Sequence, residues 1–414
     1  MIDHYAGSRS MGMEFRPYFL AKQWQQMGHV VTIVAGSYSH LRKENPSLLS
    51  WIEAKRIDGV DYLFIKTPGY QGNDSGRGRN IFAFLIRLIL AARHIAKSRR
   101  PDIVIASSTY PMDIFPAEKI ARKSGAKLVW EIHDIYPDSL ALNHFPQWIS
   151  KGAAWVMNKS VERACRKSYR IVSILSHAGE FLKEKRYGEE AVKKLIYVPN
   201  GVETEGTEAY PRSAYSEMLM KTMEEIKRSG CFTVLYLGGF AAANALDEFV
   251  WAAGLVKESA FLLAGNGWDR ARLKKLAEKE GLCGAETAKP KIYFWDAVDK
   301  TDVLQVLQKA DCLYIGARDE PLYRYGIGMN KLYDYMLSGK PIICGINTPF
   351  NVVAESGCGI VIPPQDSAAI ATAVNTLRNL SEEERRVMGE RGRNYVLKNN
   401  TYEILAKKFL SGMD

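Results

Sequence analysis

The sequence predicts an α/β protein of two Rossmann-like, doubly wound domains facing a central cleft. Three observations lead there. Short apolar, strand-like runs alternate with helix-length stretches along the whole chain. The alternation pauses at the turn Pro199-Asn200-Gly201 and then restarts. The 414 residues, 47% hydrophobic and 25% charged, give each half enough chain for its own core. Strands that each lead into a helix form parallel sheets covered on both faces. Ligands of such sheets bind beyond the carboxyl ends of the strands, so two facing domains would share one site.

The start is irregular. A doubly wound domain opens with a buried strand, yet only Met1–Tyr5 precede the loop Ala6-Gly7-Ser8. The expectation is a truncated first strand or a sheet that begins with a stub. The first half then reads as strands at Val30–Ala35, Tyr62–Lys66, Asp102–Ser107, Lys127–His133, Arg170–Leu175 and Leu195–Val198. Helical patterns fill Glu14–Met27, Ile81–Lys97, Asp113–Lys123, Gln147–Lys167 and Ala178–Lys185. A polar helix leads out of the hinge. Strands follow at Thr233–Leu237, Phe261–Ala264, Ile292–Phe294, Cys312–Ile315, Pro341–Cys344 and Gly359–Ile362. Their helices fall at Ala245–Val256, Arg270–Lys279, Val303–Lys309, Asn330–Leu337 and Ala368–Leu377. Two more helices, between Ser381 and Leu410, would close the molecule. The domains are thus 1–200 and 201–380, with 381–414 as the closing segment.

Composition excludes some classes. The six cysteines are scattered with no Cys-x-x-Cys pair, which argues against a disulfide framework or zinc site and favours a reducing cytoplasm. No secretory signal is visible, and no apolar run reaches the roughly 20 residues that span a bilayer. Charge is less even. Residues 1–200 hold 30 Lys and Arg against 18 Asp and Glu, a net of +12, while residues 201–414 hold 26 against 28, a net of −2, giving the total of +10. The first half therefore faces something anionic, or carries a solubilising surface.

The stretch Pro321–Pro364 is the most informative. A glycine-punctuated loop runs into a helix carrying Asn330, Lys331 and Asp334, then a turn at Gly339 and a buried strand. Lys331 and Asp334 are three residues apart and share a helix face. A cation for a diphosphate and a carboxylate for a ribose diol suit a nucleotide-sugar, and the helix N-terminus adds unpaired N–H groups. An ordinary helix with a solvated Lys and Asp would read the same way. Gly238-Gly239 and Gly265-Asn266-Gly267 end two successive strands and permit close backbone approach to a ligand, as turns alone would also explain. At the end of another strand stands Glu131-Ile132-His133-Asp134. His133 could donate to a substrate hydroxyl and Asp134 orient the ring or hold a sugar; a capping Asp and a satisfied His fit equally. Asp-x-Asp, a nucleotide-triphosphate P-loop, Gly-x-Ser-x-Gly and His-Glu-x-x-His are missing from the sequence, so no metal or other cofactor is expected.

Between Ile81 and Ala92 only Arg87 interrupts the apolar residues, and Arg79, Arg93, Lys97, Arg99 and Arg100 flank them. Such a helix covers more apolar circumference than packing on one sheet requires, which suits a membrane interface. Burial between the sheet and neighbouring helices is the competing reading. The preceding segment Gln71–Gly78 reads as a mobile loop.

With these motifs placed, the chain resembles retaining glycosyltransferases of family 4, of GT-B architecture, over nearly its whole length. The segment His4–Arg42 (HYAGSRSMGMEFRPYFLAKQWQQMGHVVTIVAGSYSHLR), ANALDEFVWAA, the Pro321–Pro364 region and RRVMGERGRNYVLKN carry the resemblance together. Within the family it is most similar to bacterial transferases that build O-antigen or capsule repeats from amino-deoxysugars. The resemblance implies that the loop at Gly7 lies near the donor phosphates, that His133 serves the donor sugar and acceptor, and that Asp334 holds the ribose. The segment Phe294–Val298 would contact the base. Three departures stand out. The family's first glutamate falls on Gly326. Its basic pair falls on Gly239 and Asn244, which shifts the diphosphate clamp onto Lys331 and Arg324. Gly328-Met329 replaces its Ser-Pro.

The reading implied is a metal-independent hexosyltransferase that moves a sugar from a UDP-sugar to a lipid-linked saccharide. It would be cytoplasmic and peripheral at the inner membrane face, with Arg16, Arg79, Arg87 and Arg93 on the acceptor or membrane side. A nucleotide-sugar 2-epimerase of the same fold and a basic nucleic-acid-binding protein are the rivals. The sequence shows neither the epimerase's acid/base set nor a nucleic-acid module, and no nucleic-acid partner is expected.

Overall fold

A computed structural model describes residues 1–71, 75–139, 147–204, 213–284 and 291–413. The chain divides into two compact units. The first holds Met1–Asn200, the tetrapeptide Tyr325–Gly328 and the chain from Tyr402 onward; the second holds Gly201–Arg324 and Met329–Thr401.

In the first unit the order is α1 (Arg16–Gln26), β1 (Thr32–Gly36), β2 (Ile52–Ile57), β3 (Val60–Ile65), α2 (Ser75–Arg99), β4 (Ile103–Ala106) and α3 (Ile114–Ser124). It continues through β5 (Lys127–Ile132), α4 (Gln147–Lys167), β6 (Arg170–Ser173), α5 (Ala178–Glu184), α6 (Glu189–Lys193) and β7 (Leu195–Tyr197). Strands pair in the orders β1-β3-β2 and β4-β5-β6-β7, parallel except for the β2–β3 hairpin. Ile2 joins the two groups, since it bridges Val34 of β1 and Ala106 of β4, both in parallel. The opening residues are thus a stub strand at the centre of the sheet. Ile2 N–H donates to Ile105 and Asp3 N–H to Val34, which fixes where the following loop emerges.

In the second unit α7 (Ala214–Arg228) leads into β8 (Phe232–Leu237), α8 (Leu246–Leu255), β9 (Ser259–Ala264), α9 (Arg270–Lys279) and β10 (Ile292–Trp295). Then come α10 (Val303–Lys309), β11 (Cys312–Gly316), α11 (Asn330–Leu337), β12 (Ile342–Gly345), α12 (Val352–Ser356), β13 (Gly359–Val361), α13 (Ser367–Asn379) and α14 (Glu382–Asn399). All six strands are parallel, in the order β10-β9-β8-β11-β12-β13. That is the Rossmann order, whose direction of winding reverses between β8 and β11. The expected architecture of two Rossmann-like α/β domains is therefore present. The strands read as continuous apolar runs because both faces are covered: β9 and β11 are buried along their full length.

Several expectations change in detail. The strand β2 and the short helices α6 and α12 did not stand out in the sequence. Helix α2 begins at Ser75, so the second part of the expected loop Gln71–Gly78 is helical, and residues 72–74 of it lie outside the described residues. The two terminal helices belong to different units. Helix α14 belongs to the second unit, whereas the last helix, α15 (Tyr402–Ser411), packs in the first. There Tyr402, Leu405, Ala406 and Phe409 join a core with Phe19, Trp24 and Val31.

Candidate active site

In the second unit the site gathers at the carboxyl ends of β8 and its neighbours, where the winding reverses. Helix α11 is fastened there by Tyr335, whose hydroxyl accepts from Leu237 N–H at 2.7 Å and donates to Leu237 O at 3.0 Å. One turn earlier on the same helix, Lys331 lies across the end of β8. Its Nζ donates to Asn244 Oδ1 at 2.7 Å and to Tyr236 Oη at 2.9 Å, and sits 4.7 Å from the Tyr236 ring centre. Asn244 in turn donates to Gly239 O at 2.9 Å, and Tyr236 to the same oxygen at 2.7 Å. The lysine is therefore held by two side chains that share one backbone acceptor, and neither of them is charged. Burial pushes its pKa down to about 7.

The glycines have separate reasons to be there. A Cβ on Gly238 would meet Lys331 Cδ at 3.2 Å, so this glycine makes room for the lysine stem. Gly239 faces open space, with only Asn266 O at 3.9 Å. Gly265 and Gly267 have positive φ, and a Cβ on them would fall 1.9 Å from Gly238 O and 2.2 Å from Phe240 O. The two strand-end loops are zipped together there, with Phe240 N–H donating to Asn266 O at 2.9 Å. These two glycines serve loop packing first.

Asp334 is not alone. Lys300, from the loop after β10, donates to its Oδ2 at 2.6 Å. Val298 lies in that same loop. Asn330 opens α11, with its Oδ1 buried and unbonded. Arg324 is exposed at the end of a 3-10 turn, Pro321–Tyr325. Gly326 falls outside this group, because it belongs to the tetrapeptide that packs in the first unit. Its φ is +111°, and a Cβ would fall 2.7 Å from Ser176 N. A glutamate side chain has no room at this position, which is the physical content of the departure seen in the sequence.

In the first unit the corresponding reversal point lies between the stub and β4, and the polar residues cluster around it. His133, at the end of β5 and mostly buried, donates from Nε2 to Glu131 Oε2 at 3.3 Å and lies 3.1 Å from Ser107 Oγ. Ser107 donates to the same Glu131 oxygen at 2.5 Å. The other Glu131 oxygen takes Arg16 Nη2 at 2.7 Å and Nε at 3.1 Å. Although burial works against it, Arg16 with His133 and Ser107 holds the Glu131 carboxyl well below its ordinary range. Burial would lower the His133 pKa, but the Glu131 carboxylate outweighs it and raises the value. Asp3 and Asp113 are fully buried, and burial raises both to about 7. Asp134 follows on the next loop; desolvation by the groups around its carboxyl raises its pKa, with His133 and Arg77 pulling against that.

Arg16, expected on the acceptor or membrane side, is instead a buried structural ion pair that also donates to Val198 O at 2.9 Å and Pro199 O at 2.6 Å. Arg87 ties α2 to Lys66 O, while Arg79 and Arg93 are exposed on that helix. Gly7 sits where the loop folds back on itself: a Cβ would fall 1.7 Å from Gly12 O. Sequence reasoning missed Glu131, Ser107, Asp3, Tyr236, Lys300 and Arg77. Only Glu131 gave a signal, since residues two apart on a strand share a face and it stands two before His133. Among the described residues, no group of three or more His, Cys, Asp or Glu is gathered as a metal set.

Residues 11–205 match the model of Glycosyltransferase Family 4, and residues 231–379 that of Glycosyl transferases group 1. No curated protein matches the sequence. Among solved structures, the chain is similar to sucrose-phosphate synthase from Thermosynechococcus elongatus, with 14% identity, 95% of this chain and 90% of that one covered, and a TM-score of 0.69. It is also similar to a glycosyltransferase from Rickettsia africae, with 17% identity, 100% and 97% covered, and a TM-score of 0.67. A third is Anabaena HepE, solved with UDP and glucose, with 13% identity, 99% and 97% covered, and a TM-score of 0.66. These likenesses extend over both units and fix the fold. With a glycosyltransferase model matched in each half, the chain is a glycosyltransferase of family 4-like type and GT-B fold.

Proposed function

We propose that this glycosyltransferase takes its sugar from a UDP-linked donor, an N-acetylated amino or deoxy sugar, and transfers it with retention to a lipid-linked saccharide. The setting is surface polysaccharide assembly, O-antigen or capsule, at the inner face of the plasma membrane. The observation that carries the donor half is Lys331. A desolvated cation, oriented by Tyr236 and Asn244 at the reversal point of a Rossmann sheet, suits a diphosphate whose negative charge grows as the glycosidic bond breaks. In this reading it does without a divalent cation. Asp334 takes the ribose diol. In the first unit His133, its proton held on Nε2 by Glu131, serves the transferred sugar and the acceptor. The donor's departing phosphate takes the acceptor proton, so positioning and charge stabilisation suffice.

UDP-containing relatives of the same fold support the choice of base: Anabaena HepE is solved with UDP-glucose, and a trehalose-6-phosphate enzyme from E. coli with UDP-2-fluoro glucose. The membrane half rests on α2, whose outer face exposes Phe82, Ile86 and Leu90 between exposed Arg79 and Arg93. No helix among the described residues is long and apolar enough to cross a membrane.

Calorimetric titration with UDP, GDP and ADP in EDTA tests the donor reading. UDP alone should bind, and the Lys331→Met variant should lose at least about tenfold in affinity, the scale of a charge-assisted contact. Absence of UDP binding, or equal binding by the variant, overturns it.

A further inference from the structure

The first unit carries a second polar depression, at the opposite end of its sheet from His133. A groove of about 820 Å³ opens where α3, α4 and α6 end and β5 and β6 begin. Lys127 starts β5 and His133 comes six residues later, so about 20 Å of strand separates the groove from the candidate active site. Seven basic and two acidic side chains line the groove. Both acids are already engaged: Glu118 accepts from Arg163 Nη2 at 3.1 Å, and Glu190 from Lys193 Nζ at 2.7 Å.

Helix ends explain part of this charge. A helix C-terminus presents unpaired carbonyls, equivalent to roughly half a negative charge, and basic side chains favour it. Lys194 answers α4 in this way, with Nζ 3.4 Å from Cys165 O. Lys127 and Arg170 donate to Met413 O and Gly412 O and lie over the Tyr169 ring. Arg122, Arg166 and Lys167 remain. They are exposed, and among the described residues their side chains make no hydrogen bond or salt bridge. Three helix ends supply roughly 1.5 negative charges, too few to offset the basic side chains that have no carboxylate bonded to them. Ser168, at the junction of α4 and β6, lines the groove as well, and its Oγ is buried with no partner. A buried hydroxyl without a bond is costly, and a phosphate oxygen reaching the junction would accept from it.

We infer that this groove is a second ligand site, which takes a dissolved anion with two or more linked phosphoryl groups through Arg122, Arg166 and Lys167. Guanidinium and ammonium groups from the ends of two helices suit an anion with more than one phosphoryl group. No large apolar side chain is exposed among the lining residues, whereas a membrane contact inserts apolar groups beside its basic ones. That favours a dissolved anion over a lipid surface. The site stands apart from donor and acceptor binding and does not depend on either.

The test is calorimetric titration of the full chain with inorganic tripolyphosphate, in EDTA and with UDP in excess to occupy the donor site. One equivalent should bind, and inorganic phosphate should bind about tenfold more weakly or worse, since it offers a single phosphoryl group. Arg122→Gln/Lys167→Gln should lose about tenfold or more in affinity. Both residues are exposed, so the melting temperature and UDP affinity of this variant should equal those of wild type. As a control, Arg93→Gln/Lys97→Gln removes the same charge from exposed positions on α2 and should leave tripolyphosphate binding unchanged. An equal loss in the control would reduce the effect to net charge and overturn the site. Unchanged binding by Arg122→Gln/Lys167→Gln, or equal affinity for inorganic phosphate, overturns it as well. Flotation with phosphatidylglycerol vesicles separates the remaining source. If Arg122→Gln/Lys167→Gln loses vesicle binding while tripolyphosphate fails to bind wild type, the groove is a lipid contact and the proposal falls.

Discussion

Lys331 carries its charge only part of the time near neutrality, because burial has brought its pKa down to about 7. A diphosphate placed against it would favour the protonated form, so donor binding takes up a proton at pH values above the free-protein pKa. A UDP-sugar has no titrating phosphate near neutrality and isolates the effect. Its affinity should be constant below about pH 6 and fall by up to about tenfold per unit above pH 7, following the linkage between binding and protonation. Lys331→Met should bind more weakly and show no such slope; a slope that survives the substitution would place the titrating group elsewhere. Asp334 makes a second test, since Lys300 occupies its Oδ2 at 2.6 Å. A ribose diol has to displace or share that lysine. Asp334→Ala should weaken UDP binding about tenfold, whereas Lys300→Met should leave it equal or tighten it a few-fold. If Lys300→Met weakens binding as much as Asp334→Ala does, the lysine itself contacts the donor. Lys331 and Asp334 were legible in the sequence because one helix turn presents both. Lys300, Tyr236 and Arg77 were not, because each reaches its partner from an element far away in the chain, where nothing local marks it.

At the scale of elements, legibility followed burial. Helices α4, α9, α10 and α11 fall on the residues that their patterns predict, because each has one apolar face fixed by packing. Strand β2 was missed for the opposite reason. IEAKRI is a half-exposed edge strand, held by antiparallel pairing to β3, and its charges protect the edge while hiding the apolar alternation. Helix α2 was legible in its excess of apolar residues but not in its start. One face is buried against the unit, with α3 as a neighbour, while the other exposes Phe82, Ile86 and Leu90. Removing that face should separate membrane contact from folding. The double variant Phe82→Asp/Leu90→Asp should keep the wild-type melting temperature within a few degrees, since neither side chain is in the core. In flotation with vesicles containing anionic phospholipid it should lose most of the bound fraction. Wild type should bind neutral phosphatidylcholine vesicles much less, and added salt should reduce binding to the anionic ones. Flotation of the double variant equal to wild type would remove α2 as the contact.

Across the whole molecule, the chain order does not follow the two units. The first series of strands stops at Asn200-Gly201, yet the first unit also takes Tyr325–Gly328 and the final helix. Asn200 Nδ2 donates to Gly328 O at 2.7 Å, and His177 N–H to Tyr325 O at 2.9 Å, so the returning tetrapeptide is bonded into that unit. Helix α15 is more consequential. Phe409 packs against Trp24 at 5.1 Å between ring centres, Tyr402 against Phe19 at 4.8 Å, and Trp24 Nε1 donates to Ala406 O at 3.2 Å. Lys127 and Arg170, at the starts of β5 and β6, donate to Met413 O at 2.6 Å and Gly412 O at 2.7 Å. The sequence revealed that two helices end the chain but not that they serve different units, since an amphipathic face does not say which core it covers. A fragment of residues 1–200 therefore exposes Phe19 and Trp24 and lacks part of its own core. It should be largely unfolded or aggregated, whereas residues 201–401 should fold, with exchange-protected strands β8, β9 and β11. In the full chain, Phe409→Ala should destabilise the first unit by about 3–5 kcal/mol, the range for losing a fully buried phenylalanine. Hydrogen exchange reads this directly: protection should fall in α1 and β1, which share a core with Phe409, and persist in β8 and β9, which do not. Equal loss in both sets would mean that α15 supports the molecule as one cooperative block, and a stable 1–200 fragment would mean that it is dispensable.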